Sequence, residues 1–140
     1  MSGDDDAPLL GAVQPEGWLP PKGYVNGIVA AGRTLYVAGQ VGWNAQCQFD
    51  SDELVDQFAQ ALDNVVAVVR AAGGSAQNIA KMTVYCTDLA AYRRSLRALG
   101  KAWRSRIGKH FPAMALVGVA GLVEPRALVE IEAVAVLPHA

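Results

Sequence analysis

The chain has 140 residues, of which 52% are hydrophobic and 18% charged, and its formal net charge is −1. This length suits one domain whose core needs no metal or disulfide support. The near-neutral charge excludes a general electrostatic attraction to nucleic acid or to anionic membranes. The apolar runs are too short for a membrane span, and the acidic start lacks the features of a signal peptide, so we expect a cytoplasmic protein.

Residues 1–22 are expected to form an irregular N-terminal arm, because prolines and glycines recur there and oppose regular structure. From residue 23 the pattern changes to short apolar runs separated by turn residues. We therefore expect a single domain over residues 23–140, with the arm lying against its surface.

Two short apolar runs, at residues 26–31 and 34–38, flank the pair Gly32-Arg33. This pattern predicts a β-hairpin in which glycine supplies a positive φ. The glycines of the next segment, Gly39-Gln40-Val41-Gly42-Trp43, indicate a bend or a close approach of the backbone to another group.

Two helices follow, separated by a strand. Ser51-Asp52 can cap the first helix, whose apolar residues recur with a 3.6-residue period until Gly73-Gly74 ends it. Residues 79–87 alternate and are rich in β-branched and aromatic side chains, which predicts a strand. Asp88 can cap the second helix and Gly108 can close it. The face of that helix expected to be buried consists of Tyr92, Leu96, Leu99, Trp103 and Ile107.

The last two predicted strands are residues 113–119 and 128–137. The order β-β-α-β-α-β-β indicates an α+β fold with a mixed sheet, and both helices pack most simply on one face of it. The other face would still carry apolar side chains, so we expect a second copy to cover it in a homo-oligomer. The side chains assigned to that face are Met114, Leu116, Val134 and Val136.

The last strand carries two carboxylates, Glu130 and Glu132, which point to one face because they are two residues apart. One interpretation is that the strand lies at an exposed edge of the sheet and that both carboxylates are solvated. The flanking valines and Ile131 instead favour a central strand, where an unpaired carboxylate is rare. The residues alone leave both interpretations open.

Neither cysteine indicates a metal site. Cys86 lies in a strand and is expected to be a small core residue, whereas Cys47 lies in a polar loop with no histidine or cysteine at metal-ligand spacing. His110 and His139 are isolated in the sequence. We expect no disulfide in a cytosolic protein and no bound metal.

Several short segments, taken in order and at their spacing, resemble the Rid (reactive intermediate deaminase, YjgF-type) family over about residues 20–137. The resemblance implies a chorismate-mutase-like α+β fold and a homotrimer with clefts between subunits. It also implies hydrolysis of enamines or imines to a carbonyl compound and ammonia without a cofactor. The matching segments are Gly23-Tyr24-Val25, Gly39-Gln40, Gln57, Leu62-Asp63-Asn64, Ala72-Gly73, Lys81-Met82-Thr83-Val84, Phe111-Pro112-Ala113 and Glu130-Ile131-Glu132-Ala133.

The resemblance also implies which residues act in the cleft. Glu130 would orient and deprotonate the attacking water, and Tyr24 would position the substrate. The backbone of Gly39 and Gln40 would supply polar contacts. Imine hydrolysis suits so few groups, because the iminium carbon is already electrophilic and the protein mainly orients water and accepts its proton.

The same cleft would contain two departures from the family pattern. Met114 stands where members usually carry an arginine that binds a substrate carboxylate, and Leu96 stands where many carry an asparagine. Leu116 would line the cleft beside them, and Trp43 could form an aromatic wall with Tyr24. A thioether has neither charge nor donors, so losing the bidentate contact should cost about 2–5 kcal/mol of binding to a small 2-imino acid.

The resemblance, taken with these departures, implies a deaminase-type hydrolase acting on C=N or enamine substrates that are larger and more apolar than the small 2-imino acids. The alternative is a non-catalytic trimer that binds a small metabolite. An RNA-binding or endoribonuclease function has support only from a basic helix face, and the net charge and missing RNA-binding motifs oppose it. That face is typical of a solvated surface, although one arginine could reach the cleft; it consists of Arg93, Arg97, Lys101 and Arg104.

Overall fold

The structure is a computed structural model that describes residues 9–139. Within these residues, no helix is both long enough and apolar enough to cross a membrane. The strands are β1 (Leu10–Val13), β2 (Gly27–Ala30), β3 (Arg33–Val41), β4 (Ile79–Cys86), β5 (Ala113–Gly118) and β6 (Val129–Leu137). The helices are α1 (Leu54–Ala71), α2 (Leu89–Arg94) and α3 (Leu96–Arg106), with a short 3-10 helix at Ala76–Asn78.

The main sheet has four strands in the order β3-β6-β4-β5. β6 is antiparallel to both of its neighbours, whereas β4 and β5 are parallel. This confirms the predicted α+β class with a mixed sheet. Helices α1 and α3 contact each other, and α1 packs against β3 and β6. The predicted placement of the helices on one face is therefore confirmed as well.

The N-terminal part of the fold differs from the sequence prediction. Strand β1 pairs antiparallel with β2, so the prediction of an irregular arm is wrong for Leu10–Val13; residues 1–8 of that arm lie outside the described residues. The prediction of a β2–β3 hairpin is also wrong, because β2 is hydrogen-bonded to β1 and β3 is hydrogen-bonded to β6. Pairing with distant strands satisfies both backbones. Gly32 between them does adopt a positive φ of 149°.

The helix ends follow the expected chemistry with small shifts. Glu53 is the residue at the N-cap of α1, and Ser51 instead accepts the Glu53 N–H at 3.0 Å. Gly73 has a φ of 93°, and its N–H donates to the Arg70 carbonyl while the Gly74 N–H donates to the Val69 carbonyl. This is the Schellman arrangement that closes a helix.

The second predicted helix is divided at Ser95 into α2 and α3. Asp88 caps α2 as expected, accepting the Ala91 N–H at 3.0 Å, and Gly108 beyond α3 has a φ of 76°. Because the break restarts the helix at Leu96, that side chain leaves the buried stripe and is 59% exposed. The prediction that Leu96 is buried is therefore wrong.

The two faces of the main sheet have different surroundings, and strand register assigns each side chain to one of them. Met82 is fully buried beneath the helices and lies opposite both Met114 and Ala133. Cross-strand partners point to the same side, so Met114 lies on this helix side. By the alternation of β5, Leu116 does too. The prediction that both lie on the uncovered face is therefore wrong.

The opposite face, here called the open side, carries both carboxylates of β6. Glu132 lies opposite Thr83, and Glu130 lies opposite Tyr85. Val134 and Val136 share this side, as predicted. Three further side chains of the open side, given by the same register, are Tyr36, Lys81 and Val117.

Candidate active site

A cavity of about 420 Å³ lies on the helix side between β5 and the helices, and we call it the Met114 cavity. It brings together two of the predicted site residues, Met114 and Leu96. Its walls are mainly aromatic and apolar, which is typical of pockets for small molecules. The other large side chains of the wall are Phe58, Tyr92, Trp103 and Phe111.

Packing holds this wall in place. The rings of Trp103 and Phe111 are stacked, with centroids 6.1 Å apart and planes 4° apart. The Trp103 indole N–H donates to the His110 carbonyl at 3.2 Å, and the His110 Nε2 lies 2.7 Å from the Ile79 carbonyl oxygen. His110 is thus a structural residue behind the cavity.

Tyr92 meets the ring of Phe58 nearly edge-on at a centroid distance of 6.2 Å. Burial raises the pKa of Tyr92 to about 12, because an apolar environment disfavours the phenolate. The phenol therefore stays neutral at physiological pH. It offers the cavity a hydroxyl and no negative charge.

Two cations, Lys22 and Arg104, also line the Met114 cavity. Neither forms an ion pair within residues 9–139, where the two ion pairs are Arg106–Asp63 and Arg126–Asp52. The sequence analysis left open that one arginine of the basic helix face could reach the cleft, and Arg104 does line this cavity. The sequence offered a signal, since Arg104 belongs to the basic helix face, but four basic residues share that face and spacing could not single it out.

Two predicted cleft residues do not reach the Met114 cavity in the single chain. Trp43 packs against Phe49 with ring centroids 5.8 Å apart. The side-chain amide of Asn64 donates to the Val41 and Trp43 carbonyls and so fixes this loop against α1. Leu116 packs against the core instead. An aromatic wall formed by Trp43 and Tyr24 between subunits stays a prediction.

Tyr24 lies between Gly23 and Val25, the residue that is bonded to the edge of β5. The Val25 N–H donates to the Pro112 carbonyl at 3.2 Å, and Val25 forms a parallel bridge with Ala113. Gly23 lines the cavity and has a φ of 77°. The Tyr24 side chain is 41% exposed.

Gly39 and Glu130 form a second group on the open side, and Gln40 follows Gly39 in β3 with its Cα opposite that of Ile131. A β-bulge in β3 brings Gly39 against Glu130, so that a Cβ at position 39 would be 2.9 Å from the carboxyl carbon. The Gln40 amide donates back to the Ala38 carbonyl at 3.1 Å. The close approach expected from the glycine pattern is confirmed, and it allows the carboxylate to lie directly on the backbone.

The neighbouring carboxylate is engaged differently. The Tyr85 hydroxyl donates to Glu132 at 2.6 Å. This hydrogen bond, with smaller effects of burial and of the charges on Glu132 and Glu130, raises the pKa of Tyr85. By contrast, the Glu130 carboxylate accepts no hydrogen bond from a described residue and is partly accessible. The Glu130 carboxylate thus differs from Glu132 in having no hydrogen-bond donor among the described residues.

The two groups are therefore separated within one chain. Met114 and Leu96 lie on the helix side at the edge strand β5, whereas Glu130 and Gly39 lie on the open side near the other edge. Among residues 9–139, no group of three or more histidine, cysteine, aspartate or glutamate side chains is arranged to hold a metal ion.

Comparison with known proteins identifies the family. The family model described as Endoribonuclease L-PSP matches residues 18–137 of the chain. The chain therefore belongs to this family, which is the Rid (YjgF-type) family that its sequence segments resemble.

Individual relatives support this assignment. The chain is 35% identical to the 2-iminobutanoate/2-iminopropanoate deaminase of Escherichia coli over 113 residues, which cover 81% of this chain and 86% of the relative. It is 30% identical to a RutC family protein of Pyrococcus horikoshii, with 82% and 88% covered. A crystal structure of a Rid-family protein of unknown function from Yersinia pestis superposes with a TM-score of 0.83 at 30% identity, covering 92% of this chain and 99% of that one.

Proposed function

We propose that the protein is a deaminase-type hydrolase that converts an imine or enamine to a carbonyl compound and ammonia. The observation that carries this proposal is the Glu130 carboxylate, which lies against the backbone of Gly39 and has no hydrogen-bond partner among the described side chains. Relatives at about 30–35% identity are named as imine deaminases, which supports the reaction class.

The reaction needs only proton transfer and positioning. Water adds to the C=N carbon while Glu130 takes its proton, and the resulting carbinolamine receives a proton on nitrogen from the same carboxyl group. The C–N bond then breaks as the hydroxyl proton passes to the Glu130 carboxylate, so that the carbonyl forms and ammonia leaves; that proton leaves with ammonia as ammonium. A positioned carboxylate contributes about 10²–10⁴-fold to such a step. Tyr24 is proposed to orient the substrate.

The site is proposed to form between copies of the chain in a homotrimer. Met114 and Glu130 lie on opposite sides of the sheet, so both can act on one molecule only if different subunits supply them. The open side also carries apolar surface that suits an interface, since Tyr36 is 79% exposed and Val117 is 41% exposed. An inter-subunit cleft would use the open side of one copy and the Met114 cavity of another.

The substrate is proposed to be larger and more apolar than 2-iminopropanoate. Met114 provides no donor where the family pattern has arginine, and the aromatic walls of the cavity favour a bulky apolar group. The 2-imino acids named for the relatives therefore describe those proteins, and this chain is expected to prefer a bulkier imine.

Ammonia release tests this proposal. Imines are generated in situ by an amino acid oxidase from phenylalanine and, for comparison, from alanine. We expect the wild type to accelerate ammonia release from the phenylalanine product, and Glu130→Gln to lose about a hundredfold or more of that rate. Glu132→Gln is the matched control on the same strand and side, and should keep most of the rate.

Light scattering must show that each variant assembles as the wild type does. If the assembled wild type releases no ammonia above background from any imine or enamine but binds a metabolite tightly, the protein is the non-catalytic binding trimer instead. If Glu132→Gln loses as much rate as Glu130→Gln, the assignment of the water-binding carboxylate is wrong.

A further inference from the structure

We infer that the Met114 cavity selects a carboxylate attached to a bulky apolar or aromatic group, and that Arg104, assisted by Lys22, holds the carboxylate at the rim. This inference rests on the proposed function, because it names the substrate class of the same site. It assigns the anion contact to helix α3 and not to strand β5, where Met114 stands.

The charge of the cavity wall is the first step. The described residues that line the cavity include Lys22 and Arg104 and no aspartate or glutamate. Tyr92, the remaining titratable group of the wall, is neutral at physiological pH because burial raises its pKa to about 12. The wall therefore carries two positive charges and no negative one, so an anionic guest is favoured.

The position of Arg104 is the second step. Its guanidinium lies over Gly100, one turn earlier on α3, where a Cβ would be 3.3 Å from Nη1. Gly100 also lines the cavity, so the guanidinium is placed at the cavity wall. The other arginine in this turn, Arg106, is already bonded to Asp63 at 2.9 Å. Arg104 thus has its planar fork of donors free to bind a carboxylate.

The arrangement of polar and apolar surface is the third step. The cations lie on α3 and on the segment before Gly23, while stacked Trp103 and Phe111, edge-on Phe58 and Met114 form the apolar wall. A guest with its carboxylate on Arg104 must therefore extend an apolar group along that wall. A small acid such as pyruvate gains the charge contact but leaves the aromatic surface uncovered, so the site discriminates by size.

Calorimetric titration of the assembled protein tests the inference with compounds that do not react. The probes are 3-phenylpropanoate, its neutral amide 3-phenylpropanamide, and pyruvate. We expect 3-phenylpropanoate to bind at least about tenfold more tightly than either of the other two.

Arg104→Gln should lower the affinity for 3-phenylpropanoate by about tenfold to a hundredfold and leave the affinity for the amide nearly unchanged. Arg104→Lys keeps the charge but not the planar fork of donors, so its affinity for 3-phenylpropanoate should lie between those of the wild type and Arg104→Gln. Lys22→Gln should cost only a few-fold, since Lys22 is a flexible point charge. Arg97→Gln removes the same charge from the same helix outside the cavity and should change the affinity by less than about twofold.

Equal affinities for the acid and the amide would overturn the inference, and so would an equal loss in Arg97→Gln and Arg104→Gln, which would indicate diffuse attraction to the basic face. The absence of saturable binding would overturn it too. The proposed function can fail separately, because binding of 3-phenylpropanoate does not depend on Glu130. Glu130→Gln should therefore still bind this compound. Binding without ammonia release would refute the deaminase and retain the anion site.

Discussion

The two sides of the main sheet differ in how completely a single chain covers them. On the helix side, Met82, Val84 and Ile131 are fully buried. On the open side, the adjacent positions of the same strands carry Lys81 and Glu132, both exposed. Alternate residues of the same strand therefore lie either in the buried core or on a face that a single chain leaves exposed. The core on the helix side thus stabilises the fold of the single chain. The proposed chemistry requires, in addition, that the open side contact a second copy of the chain.

Among the residues that the structure describes, the helix side contains one polar side chain that is fully buried, Gln57. Its amide donates to the Ser51 and Arg126 carbonyls at 3.0 Å each, and its oxygen accepts the Leu128 N–H at 2.8 Å. One side chain thus ties the start of α1 to the loop before β6. Of the substitutions proposed, replacing Gln57 is expected to reduce the stability of the helix side the most.

Gln57→Leu should lower the free energy of unfolding by about 3 kcal/mol or more, because three backbone groups would lose their partner in a buried place. Urea denaturation at fixed protein concentration measures the change. Gln60→Leu is the control on the same helix, since the Gln60 amide bonds only the Asn64 side chain, and it should cost less than about 1 kcal/mol. Comparable losses in the two variants would contradict this account.

Much of the helix side could be predicted from the sequence, because it obeys local rules. The apolar period of α1, the capping by Asp88 and the positive φ of Gly73 and Gly108 are each set by a few neighbouring residues. Cys86, expected to be a core residue, is fully buried.

The errors have a different physical origin. Pairing of β1 with β2 replaced the predicted hairpin, because partner choice depends on distant strands. The assignment of Met114 and Leu116 to the open side failed because the face of an edge strand follows from its register with β4, which composition does not encode.

The candidate site was predictable only in part. The segment patterns selected Gly39, Gln40 and Glu130, and the bulge in β3 places Gly39 against the Glu130 carboxylate. The position of Arg104 depends on the break at Ser95 and on the cavity above Gly100. Such tertiary details have no counterpart in helix periodicity.

Tyr92 lines the Met114 cavity, and its ionisation makes the stability of the protein depend on pH. The unfolded pKa of tyrosine is about 10, and burial raises the pKa of Tyr92 to about 12 in the native state. The native state thus favours the neutral phenol. Its contribution to stability is complete below pH 10 and is lost as the pH rises toward 12.

We expect the unfolding free energy to fall by about 1–2 kcal/mol across this window from Tyr92, less than the full shift implies because the ring is only partly buried. Tyr92→Phe keeps the ring against Phe58 and should remove most of the fall. A smaller fall in the same direction should persist, because the raised pKa of Tyr85 acts alike. Urea titrations at pH 9 to 12 measure the slope; an unchanged slope in Tyr92→Phe would place the titration elsewhere.

Gly100→Ala gives the smallest expected effect and separates folding from binding at the cavity. Alanine is favoured over glycine within a helix by about 0.5–1 kcal/mol, so unfolding should become harder by that amount. The new Cβ would lie 3.3 Å from Arg104 Nη1, and the guanidinium must shift by a few tenths of an ångström. The affinity for 3-phenylpropanoate should then fall by about two- to fivefold. In an Arg104→Gln background the same change should keep its stabilising effect and cost no further affinity. An equal affinity loss in both backgrounds would mean that Gly100 shapes the cavity directly and does not act by positioning Arg104.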